Sequence, residues 1–413
     1  MEHALQVKIL KELIHQLDSK TNVDAGKLVR IPAADYVNED LAKTEWEQLF
    51  LNQPQVIGLS GDLPEKNTFF TSDELGIPIL ATRDRDGKFA AFINSCKHRG
   101  SKLAQERRGS KRNFVCPFHA WNYSNQGDLI AIANEDNFGD VDKSCLSLTP
   151  LPCEEHGGLL WVHPQVDGEL DVEKFLGPLA EEIASHNFGE LVYCDEKAIT
   201  KDLNWKLAND TFGETYHFSK LHKNTLGQIF HGDALAYEEF GKHHRFVFAR
   251  KSINELRELP EEEWELARGA TTIYYLFPNI QLTINQVSGV LIRIYPDSEK
   301  TGRSHTIVGH YYKQEALDMI EKAKEADLNM KVVGAENVYE RRGLEDAVFQ
   351  VEAGIEIFNS TVENEDYAMG ELSQKAAETG AIEHFIFGRN EKPLHHYHNT
   401  FRKELGRQEL EVI

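Results

Sequence analysis

Four residues of metal-binding type stand in two short motifs, Cys96-Lys97-His98 and Cys116-Pro117-Phe118-His119, with 17 residues between His98 and Cys116. Two thiolates and two imidazoles allow two kinds of site. One is a closed tetrahedral zinc ion. The other is a two-iron, two-sulfide cluster in which two His replace Cys on one iron. Zinc knuckles and ribbons usually carry Cys-x-x-Cys at an end, and a Cys-x-His start is unusual there.

A second set of candidates lies further on. His217 and His222 are five residues apart. A continuous helix would separate them by ~140°, so the helix must end or distort between them if both are to hold one ion. By spacing alone, two unrelated polar histidines are the simpler reading. Glu214 stands three before His217, and Thr211-Phe212-Gly213-Glu214 also reads as a capping box. The stretch Glu363-Asn364-Glu365-Asp366 offers carboxylates, which also suit a helix start. His395-His396-Tyr397-His398 reads as polar packing on a helix; His243 and His244 could line a pocket.

The wider context gives these residues a family. Cys96-Lys-His-Arg-Gly-Ser-Lys-Leu103 and Cys116-Pro-Phe-His-Ala-Trp-Asn-Tyr123 closely resemble the Rieske motif CxHRGxxL…CPxHGWxY, with Ala120 where Gly is usual. Asn204-Trp205-Lys206, then an acid, then Tyr216-His217-x4-His222 resembles the catalytic domain of Rieske non-haem iron oxygenase α subunits. The resemblance runs from about residue 45 to about 405. It implies a Rieske 2Fe-2S cluster on Cys96, His98, Cys116 and His119. It also implies one mononuclear Fe(II) on His217, His222 and a downstream Asp, a facial triad with positions open to dioxygen. Asp366 is the matching Asp, because Gln374 follows it at the family's distance; Glu363 and Glu365 are the competing acids. Glu214 matches an acid that bridges the two centres, between His217 and His119 of a neighbouring subunit. Asn209-Asp210 departs from the Glu-Asn often found there.

The same resemblance implies a terminal oxygenase. Electrons from NAD(P)H would come through a separate flavin and iron–sulfur reductase, sometimes with a ferredoxin, and this chain has no glycine-rich nucleotide fingerprint of its own. The substrate would be a small organic molecule, aromatic in much of the family, hydroxylated or oxidatively demethylated with O2. Members with Glu at the bridging position include some acting on quaternary ammonium compounds. A homotrimer is implied, since head-to-tail contacts close into rings. The competing class is a Rieske electron carrier or redox sensor without oxygenase activity, which would need only ~110 residues.

The elements that must position these groups are α+β in class. The expectation is an N-terminal antiparallel β Rieske domain plus a helix-grip (START/SRPBCC-like) catalytic domain with an antiparallel sheet. The divisions are a helical segment over 1–45, the Rieske domain over 46–165 and the catalytic domain over 166–413. Helices are expected over 4–17, 40–52, 170–187, 314–327 and 336–358, and again towards the C-terminus. Hairpins are expected over 77–94 and about Asn125–Gly127. Consecutive strands are expected over 271–277, 280–285, 289–295 and 305–312.

A net charge of −22 disfavours nucleic acid, whose phosphates need clustered cations. No apolar run approaches the ~20 residues of a membrane span, and Met1–Lys8 lacks a signal-peptide layout, so a cytoplasmic protein is expected. Cys145, Cys153 and Cys194 are expected to be buried free thiols.

Overall fold

The computed structural model describes residues 1–325 and 351–413, in two compact units. One comprises Met1–Glu45, Leu176–Glu182 and Tyr193–Ile413, the other Trp46–Phe175 and Ile183–Val192.

The second unit is built from short antiparallel strands. A five-stranded sheet runs Pro150–Leu151, Phe89–Ile93, Ile79–Arg83, Thr68–Ser72, Arg108–Ser110. The expected hairpin pairs Ile79 with Ile93, and its turn is closed by Asp84, whose Oδ1 accepts from the N–H groups of Asp86 and Lys88. Two three-stranded sheets complete the unit, one of them Asn113–Val115, Asn122–Ser124 and Leu129–Ala131. Its second turn needs Gly127 at φ +89°. The helix expected over 170–187 is two short helices, Val172–Leu176 and Leu179–Ala184. Gly177, at φ +56°, and Pro178 interrupt it, since Pro offers no N–H to continue a helix. The second expected helix also changes character: Glu39–Glu45 is α-helical, and Trp46–Leu51 widens to a π-helix.

The first unit carries a seven-stranded antiparallel sheet. Its strands are β1 (Leu191–Lys201), β2 (Phe230–Phe240), β3 (His243–Arg250), β4 (Ala270–Leu276), β5 (Ile280–Ile284), β6 (Ser288–Pro296) and β7 (Ser304–Lys313). They lie in the order β1-β7-β6-β5-β4-β3-β2. The four consecutive strands were expected. β1, β2 and β3 extend the sheet beyond them: β1 alternates weakly, and β3 is buried along nearly its whole length, so neither shows a clean period of two. The helix α1 (His3–Ser19) packs Ile9, Leu10 and Leu13 on Ala234, Val247 and Ile253. Its Gln16 side chain donates to the Leu235 carbonyl (3.0 Å) and accepts from the Leu235 N–H (2.7 Å), satisfying backbone on β2 where the ladder register shifts. Of the helix expected over 314–327, the described residues Gln314–Glu325 are helical and the last two positions lie outside them. The one expected over 336–358 lies in part outside the described residues; within them, Val351–Thr361 is helix.

The Asn-Trp-Lys motif starts the short helix α2 (Trp205–Asp210). Asn204 caps it by accepting from the Lys206 N–H at 3.0 Å. Lys206 Nζ meets both oxygens of Glu45 (2.6 and 2.7 Å), and Trp205 Nε1 donates to Glu45 Oε2 (3.0 Å), all three residues being buried. Lys206→Met would leave the Glu45 charge buried and uncompensated. A loss of about 3–5 kcal/mol is expected, read as a lower midpoint in urea unfolding. An unchanged midpoint would show that Glu45 is not held by this pair.

All five cysteines are free. Of the three expected to be buried, Cys153 and Cys194 are half-buried and Cys145 is exposed: it sits on a one-turn helix capped by Asp142, whose Oδ2 also accepts from its Sγ at 3.3 Å.

Candidate active site

The two Cys-His loops are near copies of each other. The Cys96 carbonyl accepts from the Gly100 N–H and its own N–H donates to the Ser101 carbonyl; Cys116 does the same with Ala120 and Trp121. Gly100 and Ala120 occupy the equivalent place, with φ +76° and +56°. The alanine accepts a left-handed backbone at a cost of roughly 1–2 kcal/mol, which explains why Gly is usual there.

The donors meet in pairs. Cys96 and Cys116 are buried and their sulfurs lie within hydrogen-bonding reach. His98 Nδ1 and His119 Nδ1 are 3.1 Å apart on rings that are partly exposed. A tetrahedral zinc ion would gather all four donors around one point. Among the described residues, however, the one trio of His, Cys, Asp or Glu with ligand atoms all within 4.8 Å of one another is found elsewhere. Pairing of thiol with thiol and imidazole with imidazole fits a two-iron cluster. Trp121 stacks on His98 with ring centroids 5.1 Å apart and planes 9° apart, fixing that ring.

Buried Tyr123 accepts from the Lys97 N–H (3.1 Å), which leaves its own proton for Cys96 Sγ at 3.4 Å. Hydrogen bonds to cluster sulfurs raise the reduction potential. Tyr123→Phe is therefore expected to keep the cluster and lower its midpoint potential, read by spectroscopic redox titration. An unshifted potential would remove this role for Tyr123.

The second set converges on one point. After α2 the chain leaves the helix and runs through successive turns, so His217 and His222 escape the separation a continuous helix would impose. Their Nε2 atoms are 3.1 Å apart, and Asp366 Oδ1 lies 3.3 Å from His217 Nε2 and 2.9 Å from His222 Nε2. Asp366 does not stand at a helix start. It closes a π-helical turn, Val362–Asp366, inside a helical run continuing from α3 (Val351–Thr361) to α4 (Tyr367–Glu378). Such widened turns occur often at functional sites because they re-aim a side chain.

The competing acids have other partners. Glu365 Oε2 bonds His222 Nδ1 (2.8 Å) and accepts from Thr225 Oγ1 (2.9 Å); Glu363 pairs with Lys197 at 2.7 Å. Glu214 Oε1 bonds His217 Nδ1, and its Oε2 accepts from the His217 N–H at 3.2 Å. The capping box does not form, because the Thr211 hydroxyl turns back to the Ala208 carbonyl. Both imidazoles thus have Nδ1 held by a carboxylate and Nε2 aimed at Asp366, the orientation that a metal ligand needs. Burial opposes charge on His217, but Asp366 and Glu214 outweigh it and bring its imidazolium up to about 10. Burial likewise opposes charge on Asp366, and the two imidazoles override it and keep the carboxyl below its usual range. Clustered carboxylates that favour positive charge suit a cation.

Asp210, noted for its departure from the family pattern, is a hub. It accepts from Tyr36 (3.0 Å) and Tyr397 (2.6 Å) and pairs with His398 (2.7 Å). His395 bonds the Gly388 carbonyl, and His396 meets His244, so this run is polar packing as expected. His243 is occupied with the Phe277 N–H and does not line the cavity.

His217, His222 and Asp366 open on a cavity of about 580 Å³ between the sheet and α3. Alternate residues of β3, Phe246 and Phe248, line it, with Phe218, Phe230 and Phe358. Sequence reasoning did not reach this lining, which is gathered from separate strands, turns and a helix.

The model of the ring hydroxylating alpha subunit catalytic domain matches residues 188–407, and that of the Rieske [2Fe-2S] domain matches residues 53–150. The chain belongs to the ring hydroxylating alpha subunit family. As a Rieske oxygenase it takes one 2Fe-2S cluster and one mononuclear iron, and the two donor sets suit them. Among relatives, chloroplastic choline monooxygenase of Beta vulgaris is 25% identical over 400 residues, 94% of this chain and 79% of that one. The carnitine monooxygenase oxygenase subunit of Escherichia coli (strain K12) is 25% identical over 296 residues, 70% of this chain and 76% of that one. A solved quaternary ammonium Rieske monooxygenase superposes with a TM-score of 0.71 at 19% identity, covering 92% of this chain and 96% of its own. No helix among the described residues of this Rieske oxygenase is long and apolar enough to cross a membrane.

Proposed function

We propose that this Rieske oxygenase oxidises a small N-methylated ammonium compound, by hydroxylation next to nitrogen or by oxidative demethylation. The carrying observation is the cavity: phenylalanine walls meet the His217–His222–Asp366 trio. Aromatic faces attract methylated cations, and the relatives named above act on choline and carnitine. The aromatic substrates expected from the family at large come second. Cys96, Cys116, His98 and His119 would hold the cluster; His217, His222 and Asp366 would hold the iron. When bound, the cluster supplies single electrons and the ferrous ion supplies oxygen activation. The chain's own groups orient and exclude. Glu365 and Glu214 hold the two Nδ1 atoms, and the Phe walls keep water from the substrate. Glu214 as the link to a neighbouring subunit's His119, a homotrimer, a separate NAD(P)H-dependent reductase and a cytoplasmic setting belong to the same proposal.

The test is substrate-dependent oxygen uptake with a surrogate reductase, across methylated ammonium, aromatic and alicyclic compounds. Uptake coupled to oxidation of a methylated ammonium compound supports the reading; turnover of aromatics alone would replace it. An iron content accounted for by the cluster alone would favour an electron carrier.

A further inference from the structure

Arg250 ends β3 on the same face as Phe246 and Phe248 and lines the cavity. Its guanidinium lies over the Phe230 ring, 5.3 Å from the centroid. Among the described residues it has neither a carboxylate nor a hydrogen-bond acceptor. The other shielded arginines among the described residues are paired. Arg245, five residues earlier, holds Glu182 and Glu238; Arg293 holds Glu196; Arg402 and Arg407 share Asp35. Burial alone acts on the Arg250 pKa and pulls it down, with no carboxylate opposing. A cation set in a largely apolar wall without a counter-charge is costly, and the cost is relieved by an anion. On the neighbouring strand β4, Thr271 also lines the cavity, and its buried Oγ1 has no hydrogen-bond partner. The cavity wall thus offers a forked donor at the end of β3 and a hydroxyl on β4 opposite Phe248. The end of β3 is tied to the iron trio: Lys251 binds the Ile229 and Gly227 carbonyls, and the Gly227 N–H binds the His222 carbonyl.

We infer that Arg250 binds a carboxylate of the substrate, so that the substrate is a zwitterion with a methylated ammonium group at one end and an acid at the other. The acid part stands on Arg250 alone; the ammonium part rests on the function proposed above. An Arg fork matches a carboxylate in geometry as well as charge. The phenylalanines would take the ammonium end, and the acid on Arg250 would set which carbon faces the trio.

The test is anaerobic titration calorimetry on the iron-loaded enzyme with two matched pairs. Trimethylglycine is set against (2-hydroxyethyl)trimethylammonium, and benzoate against benzyl alcohol. The wild type is expected to bind trimethylglycine at least about tenfold more tightly than the alcohol. Arg250→Leu should erase that preference and Arg250→Lys should keep part of it, with Arg250→Gln in reserve should the leucine variant not fold. Equal affinity for acid and alcohol in both pairs would overturn the inference, as would a preference surviving in the leucine variant. A benzoate preference that the leucine variant erases, with neither ammonium compound bound, would keep the carboxylate assignment and discard the ammonium reading.

Discussion

Glu214→Gln is expected to retain both iron centres and to turn over about 10–100-fold more slowly than the wild type. The substitution keeps size but removes the charge facing His217 Nδ1 and leaves one acceptor oxygen where the carboxylate offers two. The backbone bond to the His217 N–H can still form through the amide oxygen, so the loop should keep its shape. The loss should therefore fall on function and spare folding. Iron analysis, the visible spectrum of the cluster and steady-state product formation with the native reductase separate these effects. Wild-type rates in the variant would remove Glu214 from the route between centres. Loss of the mononuclear iron would instead leave Glu214 with its orienting role at His217 alone. Glu365→Gln is the natural comparison, since it makes the matching bond to His222 Nδ1 and has no place in the proposed link.

Asp366→Ala should have the larger effect. Its Oδ1 is the sole carboxylate oxygen in the trio, and burial leaves few alternatives for a third ligand. The expected outcome is one iron fewer per chain and oxygen uptake reduced to the background of the reductase. The cluster spectrum should survive, because Cys96, His98, Cys116 and His119 belong to the other compact unit. A relaxed π turn would offer Glu365 in place of Asp366, so Asp366→Ala is best paired with Asp366→Ala/Glu365→Gln. Full iron content in both variants would show that the triad has been misassigned.

The two metal sites differ in how far primary structure reaches. The Rieske donors fall within two loops of one small β unit, and each loop repeats the same pair of backbone bonds. Ligand spacing, the left-handed positions at Gly100 and Ala120, and the flanking hairpins are local properties, so the motif carries nearly the whole site. Strands β4 to β7 were similarly plain, because consecutive antiparallel strands show themselves as apolar runs separated by turns.

The mononuclear site depends on contacts between distant segments. Asp366 is 144 residues from His222, and three acids lie together in the same stretch. Periodicity could not choose among Glu363, Glu365 and Asp366, because the π turn breaks the ordinary helical phase. The fold assigns one to Lys197, one to His222 Nδ1 and one to the Nε2 pair. Arg245 and Arg250 make the same point on one strand. Both are arginines with shielded stems, yet only the packing of neighbouring elements supplies the first with two carboxylates and the second with a phenylalanine ring and an open cavity. Short-range spacing sets turns, strand alternation and clustered ligands, because those follow from the backbone's own geometry. Which charges meet across more than a hundred residues follows from how the sheet and helices pack, and that information is spread over the whole core.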